Sequence, residues 1–147
     1  MLDAEDVARL RVALARIARA LDRQSRGHAL TRTQASVLGT AARLGPIRIS
    51  ELAEIEGINP TMLSRIVAKL EDEGLLQRHA DPDDRRAALV EPTAEGRALQ
   101  ERLRDERTRL LAEHLAGLPQ EHAAELLAAL PSIEALAAAL VAAKASV

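Results

Sequence analysis

The stretch SELAEIEGINPTMLSRIVAKL, residues 50–70, decides the fold. Ser50 stands where an N-cap would open a short helix, with Leu52, Ala53 and Ile55 as its apolar set and Gly57 as its end. Asn59 followed by Pro60 then supplies an N-cap and a first-turn proline, the favoured order for opening a second helix. Leu63, Ile66, Val67 and Leu70 fall on one side of that helix, which should end near Gly74. Two short helices joined at a glycine turn form a helix-turn-helix, with Ser50 and Asn59 as its supports.

With those apolar residues turned inward, the outer face of the second helix carries Pro60, Thr61, Ser64, Arg65, Ala68 and Lys69. Short side chains let a helix lie close to a major-groove floor, and a guanidinium can pair with guanine O6 and N7. Thr61 and Ser64 suit phosphate or a base edge, and free N–H groups at the helix start suit phosphate. A solvated amphipathic face is the competing reading of this helix taken alone.

The flanking sequence weighs against it. A strand-like segment from Leu75 to about His79 and another over Ala87–Val90 enclose a turn-rich run, Asp81 to Arg86. That pattern predicts a β-hairpin wing whose Arg85 and Arg86 can enter a minor groove. Asp81, Asp83 and Asp84 are expected to bond the loop backbone and orient an arginine. Upstream, Thr31 and Gln34 have the spacing of a capping box, and Gly45-Pro46 stops the helix they open. Ile47-Arg48-Ile49 reads as a short extended piece.

Two apolar seams lie further out. Val7, Leu10, Leu14 and Ile17 repeat at helical spacing within residues 3–24, before a break at Arg26-Gly-His28. Beyond a charged helix capped by Thr93, with Leu99, Leu103 and Leu110 as its apolar line, Pro119 should open a last helix. Leu126, Leu130, Ile133, Ala137 and Leu140 form its seam, and Pro131 should kink it. Narrow seams flanking a compact middle suggest pairing with a second copy of the chain. An intramolecular bundle of the same helices is the alternative.

Composition bounds the function. The chain of 147 residues has no Phe, Tyr, Trp or Cys, which excludes disulfides, thiol sensing and aromatic stacking platforms. The longest apolar run, nine residues from Ala135 to Ala143, falls short of the ~20 that a membrane helix needs. No signal-like leader opens the sequence, so a cytoplasmic location is expected. No nucleophile elbow, phosphate loop or dinucleotide fingerprint is present, and the expectation is no enzyme and no cofactor. His28, His79, His114 and His122 lack metal-ligand spacing, so no metal is expected. The net charge of −2 hides an asymmetry: Arg23 to Ser50 holds five arginines and no acid.

Over residues 30–100 the sequence resembles the MarR family of bacterial transcription regulators. The resemblance is carried by Leu30-Thr-x-x-Gln34, Gly45-Pro46, Ser50-Glu-Leu-Ala53, Asn59-Pro-Thr-x-Leu-Ser-Arg65, Leu70-Glu-x-x-Gly-Leu75, Asp81-Pro-x-Asp-Arg-Arg86 and Thr93-x-x-Gly96. It implies a mainly α fold with a small β wing, a winged helix-turn-helix with N- and C-terminal dimerisation helices. The implied division is 1–28 for the N-terminal dimerisation helix, 29–92 for the DNA-binding domain and 93–147 for the C-terminal helices. It implies a homodimer on double-stranded, pseudo-palindromic operator DNA, acting as a repressor relieved by a small-molecule effector. Thr61, Ser64 and Arg65 match the recognition helix, Arg85 and Arg86 the wing basics, and Asp84 the wing-bracing acid. The effector pocket would lie between the dimerisation helices and the winged domain, near Arg16, Arg19 and Arg43. Two departures stand out: the absence of the thiol of redox-sensing members, and of the aromatics that often line the pocket. A winged-helix module for protein–protein contact, without DNA binding, is the reading from another functional class.

Overall fold

A computed structural model describes residues 1–24 and 30–144. In chain order the elements are α1 (Ala4–Gln24), α2 (Arg32–Leu44), β1 (Ile47–Arg48), α3 (Ile49–Glu56), α4 (Pro60–Asp72), β2 (Leu76–Ala80), β3 (Ala88–Pro92), α5 (Ala94–Ala116), α6 (Gln120–Ala128) and α7 (Leu130–Lys144). Helices dominate, with one small antiparallel sheet in the order β1-β3-β2. Two compact units, Met1–Arg107 and Thr108–Val147, divide the chain within α5. The expected break at Arg26-Gly-His28 lies outside the described residues.

The core belongs to the first unit and is wholly aliphatic, as a chain without aromatics requires. Val37, Leu38 and Ala41 of α2, Leu52 and Ala53 of α3, and Leu63, Val67 and Leu70 of α4 converge on Ile47, Leu76 and Val90 of the sheet. Burying each Leu or Val stabilises the fold by roughly 1.5–3 kcal/mol. The elements start where local chemistry says they should. Thr31 accepts from the Gln34 amide while the Gln34 side chain accepts from the Thr31 amide, completing the capping box. Gly57, at φ +64°, closes α3 in the left-handed region that glycine occupies without a Cβ clash.

Three expectations need correction. Ser50 is not an N-cap: α3 begins at Ile49, Arg48 takes the cap position, and no side chain caps it. The cause is the sheet, because Ile47 and Arg48 pair with Val90 and Leu89 and stay extended up to the helix start. The short extended piece is thus a third strand. Ile55, placed in the apolar set of α3, is exposed, so Leu52 and Ala53 anchor that helix. The last helix is also more than kinked. It splits at Ala129 into α6 and α7, bent by 45°, with Pro131 in the first turn of α7, where its missing N–H costs little. Among the described residues no single helix is long and apolar enough to cross a membrane.

Candidate nucleic-acid interface

Asn59 fixes the start of α4 by accepting the Thr61 amide at 2.8 Å. That bond uses one of the amides expected to face phosphate, so this helix end offers fewer donors than an uncapped one. Leu63, Val67 and Leu70 anchor one side of α4 in the core. Thr61, Arg65 and Lys69, each four residues apart, then form an exposed stripe, with Ser64 and Ala68 half-buried beside it. Pro60 is exposed at the leading end. Arg65 makes no ion pair among the described residues, whereas Lys69 lies 3.4 Å from Glu73 and is partly neutralised. Met62 was not anticipated. It is 57% exposed on this helix and adds an apolar contact of the kind that meets a thymine methyl.

Behind α4, the Glu56 carboxylate ties α3 to α2. It accepts from the hydroxyls of Ser36 at 2.8 Å and buried Thr40 at 2.5 Å. Glu71 of α4 pairs with Arg78 of β2 at 3.1 Å, linking the helix to the wing.

The wing is built on five paired positions, from Leu76↔Pro92 to Ala80↔Ala88. Glu91 on β3 takes contacts from Gln77 (3.1 Å) and His79 (2.7 Å) across the strand pair. Its loop is closed by backbone bonds between Asp81 and Ala87 and between Ala87 and Asp84. Asp84 accepts the Arg86 amide at 3.0 Å, an Asx turn that shapes the tip. The arginine-orienting role falls instead to Asp81, and the arginine is Arg48 of β1 rather than one at the tip. Nε and Nη2 of Arg48 both lie 2.7 Å from Asp81 Oδ2, while Oδ1 accepts the Asp83 amide at 2.9 Å. The Asp83 amide above all, and then Arg48, hold the Asp81 carboxyl below its ordinary value, against the opposing effect of burial. Arg85 and Arg86 are exposed and make no ion pair among the described residues. Nothing in the sequence pattern marked Arg48, since its partner is distant in the chain.

The histidines play other parts. His114 Nδ1 contacts the Leu110 carbonyl at 2.8 Å, and His122 lies 3.6 Å from Glu125. His28 lies outside the described residues. Among the described residues no cluster of His, Asp and Glu is suited to hold a metal ion.

A helix seated on a small core, with a basic exposed stripe and a basic wing beside it, is the arrangement of winged helix-turn-helix proteins. The MarR family model matches residues 30–88. An HTH-type transcriptional regulator of Mycobacterium bovis is 33% identical over 116 residues, covering 79% of this chain and 81% of that protein. A transcriptional regulator protein of Pseudomonas aeruginosa has a solved structure similar to this one, at 32% identity and TM-score 0.80, covering 92% of this chain and 98% of that one. The fold is also shared with the apo form of MarR from E. coli, at 22% identity and TM-score 0.71, over 90% of this chain and 98% of that one. Sequence relatives and matching architecture agree, and the chain belongs to the MarR family of DNA-binding winged helix-turn-helix regulators, which are not enzymes.

Proposed function

We propose that the chain acts as a homodimer that reads a pseudo-palindromic operator with two copies of α4 and of the wing, and that it represses until a small molecule releases it. The observation that carries the proposal is the exposed stripe Thr61–Arg65 on α4, accompanied by unpaired Arg85 and Arg86 at the wing tip. On this reading Arg65 and Ser64 meet base edges, Pro60, Thr61 and Lys69 sit along the groove, and the wing arginines meet the minor groove or phosphate. Asn59 fixes the helix entry and Ser50 lies within the first helix of the pair. Asp84 shapes the tip and Asp81 braces its base.

Dimerisation is supported by Val7, Leu10, Leu14, Ile17, Leu126, Leu130, Ile133 and Leu140, all between 38% and 63% exposed in the single chain. Apolar rows left open in this way are what a second copy would cover. The division of labour is 1–28 and 93–147 for dimerisation and 29–92 for DNA. The effector reading is supported by a cleft between α1, the start of α2 and α5 that includes Arg19. Arg43 lines a separate cleft between α2 and α5. The working place is the cytoplasm, where operator DNA is found.

The test selects operator duplexes from random sequence and follows their affinity against salt by fluorescence anisotropy. A steep log-log decline, with a slope of about −0.9 per phosphate neutralised, is the expected result. Salt-insensitive binding, or none, would move the chain to the protein–protein reading.

A further inference from the structure

The cleft between α1, the start of α2 and α5 encloses about 670 Å³ and is lined by the guanidinium groups of Arg19, Arg23, Arg32 and Arg107. Asp22 is the one carboxylate on its wall, and it is already engaged, 2.9 Å from Arg32 Nε and 3.6 Å from Arg107 Nη2. Four arginines against one aspartate leave a formal charge of +3 on the lining. Arg107 adds a second, independent observation: its Nε is buried and has no hydrogen-bond acceptor among the described residues. A buried guanidinium N–H is normally satisfied, because leaving it so forfeits its hydration without replacement.

The rest of the lining says what kind of acceptor fits. Leu30 and Ala35 are its only large or small aliphatic contributors, and the chain has no aromatic side chain on which a ring could stack. A flat aromatic monoanion would use one guanidinium and leave the others facing each other. A compact molecule with several anionic oxygens would bridge them, since guanidinium groups bind phosphate and carboxylate oxygens in forked pairs.

We infer that this cleft binds a small, non-aromatic molecule carrying at least two negative charges, with one oxygen accepting from Arg107 Nε. The inference rests on the effector reading above and specifies its ligand class. The anion and Asp22 compete for the same two guanidiniums, so Asp22 tunes the affinity.

The experiment is isothermal titration calorimetry of the full chain at fixed ionic strength, with inorganic pyrophosphate as the polyanion probe and benzoate as the aromatic monoanion. Pyrophosphate should bind at least tenfold more tightly than benzoate. Arg107→Gln should weaken it at least tenfold, Arg32→Gln should weaken it also, and Asp22→Asn should tighten it. Arg86→Ala should leave it unchanged, which separates the cleft from the DNA-facing arginines. Should Arg107→Gln fail to fold, the Arg32→Gln and Asp22→Asn pair decides. Tighter binding of benzoate overturns the ligand class and leaves the effector reading standing. Pyrophosphate binding that ignores the cleft variants, or vanishes in Arg86→Ala, overturns the site. If neither anion binds and neither changes operator affinity in the parent, the effector reading falls with it; operator binding itself is measured separately.

Discussion

Arg48 and Asp81 meet at 2.7 Å, and through that contact the two-residue strand β1 holds the base of the wing. The relationship joins the element that precedes α3 to the loop that carries Arg85 and Arg86. Asp81 is nearly enclosed, so its partners, rather than water, set its charge state. The wing is therefore positioned by an ion pair as well as by its own ladder.

Replacing Asp81 by Asn should loosen the wing and weaken operator binding roughly three- to tenfold. The same variant tests a pH dependence. Asp81 titrates below its ordinary value of 3.8 in the folded chain, so its contribution is complete above that value and is lost as pH falls through the lowered folded value. Urea unfolding should show the parent more stable than Asp81→Asn at pH 7, with the two converging well below pH ~4. A gap that persists in acid would show that the carboxylate's charge is not what stabilises the wing.

Arg65 and Arg86 should fail differently. Arg65→Ala removes a base-edge contact and is expected to cost ~1–3 kcal/mol and relax the preference at one base pair. Arg86→Ala should weaken all duplexes alike and reduce the salt slope by about one unit. Anisotropy on a panel of single-base operator variants at several salt concentrations reads both. Identical behaviour of the two variants would remove the distinction between the reading helix and the wing.

What was legible in the sequence is what is local. The capping box at Thr31, the Asn59-Pro60 start and the apolar spacing of α4 each act within one or two turns, and all three appear in the structure. The unread features are long-range. β1 is too short to show a period, and its pairing with β3 moved the start of α3 from Ser50 to Ile49. The acid that orients an arginine was expected at Asp84 beside the tip, whereas the pair forms between Asp81 and Arg48 of another element. The cleft arginines gather from three helices that no sequence window spans.

Gly96 is a further long-range feature with a sharp consequence. It is buried at the start of α5, where Thr93 accepts its amide at 3.1 Å and donates to the Gly74 carbonyl at 2.5 Å. A methyl group on Gly96 would overlap the Leu75 carbonyl oxygen, which is backbone and cannot rotate away. Gly96→Ala should force α5 off the sheet and destabilise the chain by ~1–3 kcal/mol. Thermal and urea unfolding measure it; a change below a few tenths would mean that the close approach relaxes freely.

The apolar rows give the last prediction. Leu14 is 38% exposed on α1 and Leu130 is 46% exposed at the start of α7, so a charge at either position meets water in an isolated chain. In a twofold dimer each substitution appears twice in one interface. Burying an unpaired carboxylate costs several kcal/mol or shifts its protonation, so Leu14→Glu and Leu130→Glu should each release monomers. Sedimentation velocity should show the monomer for both variants, with the helical circular dichroism signal of the parent retained. Retained dimers would show that these rows lie outside the interface. Loss of helical signal in both variants would place them in an intramolecular bundle, and operator affinity would then fall through unfolding rather than through separation of the two reading heads.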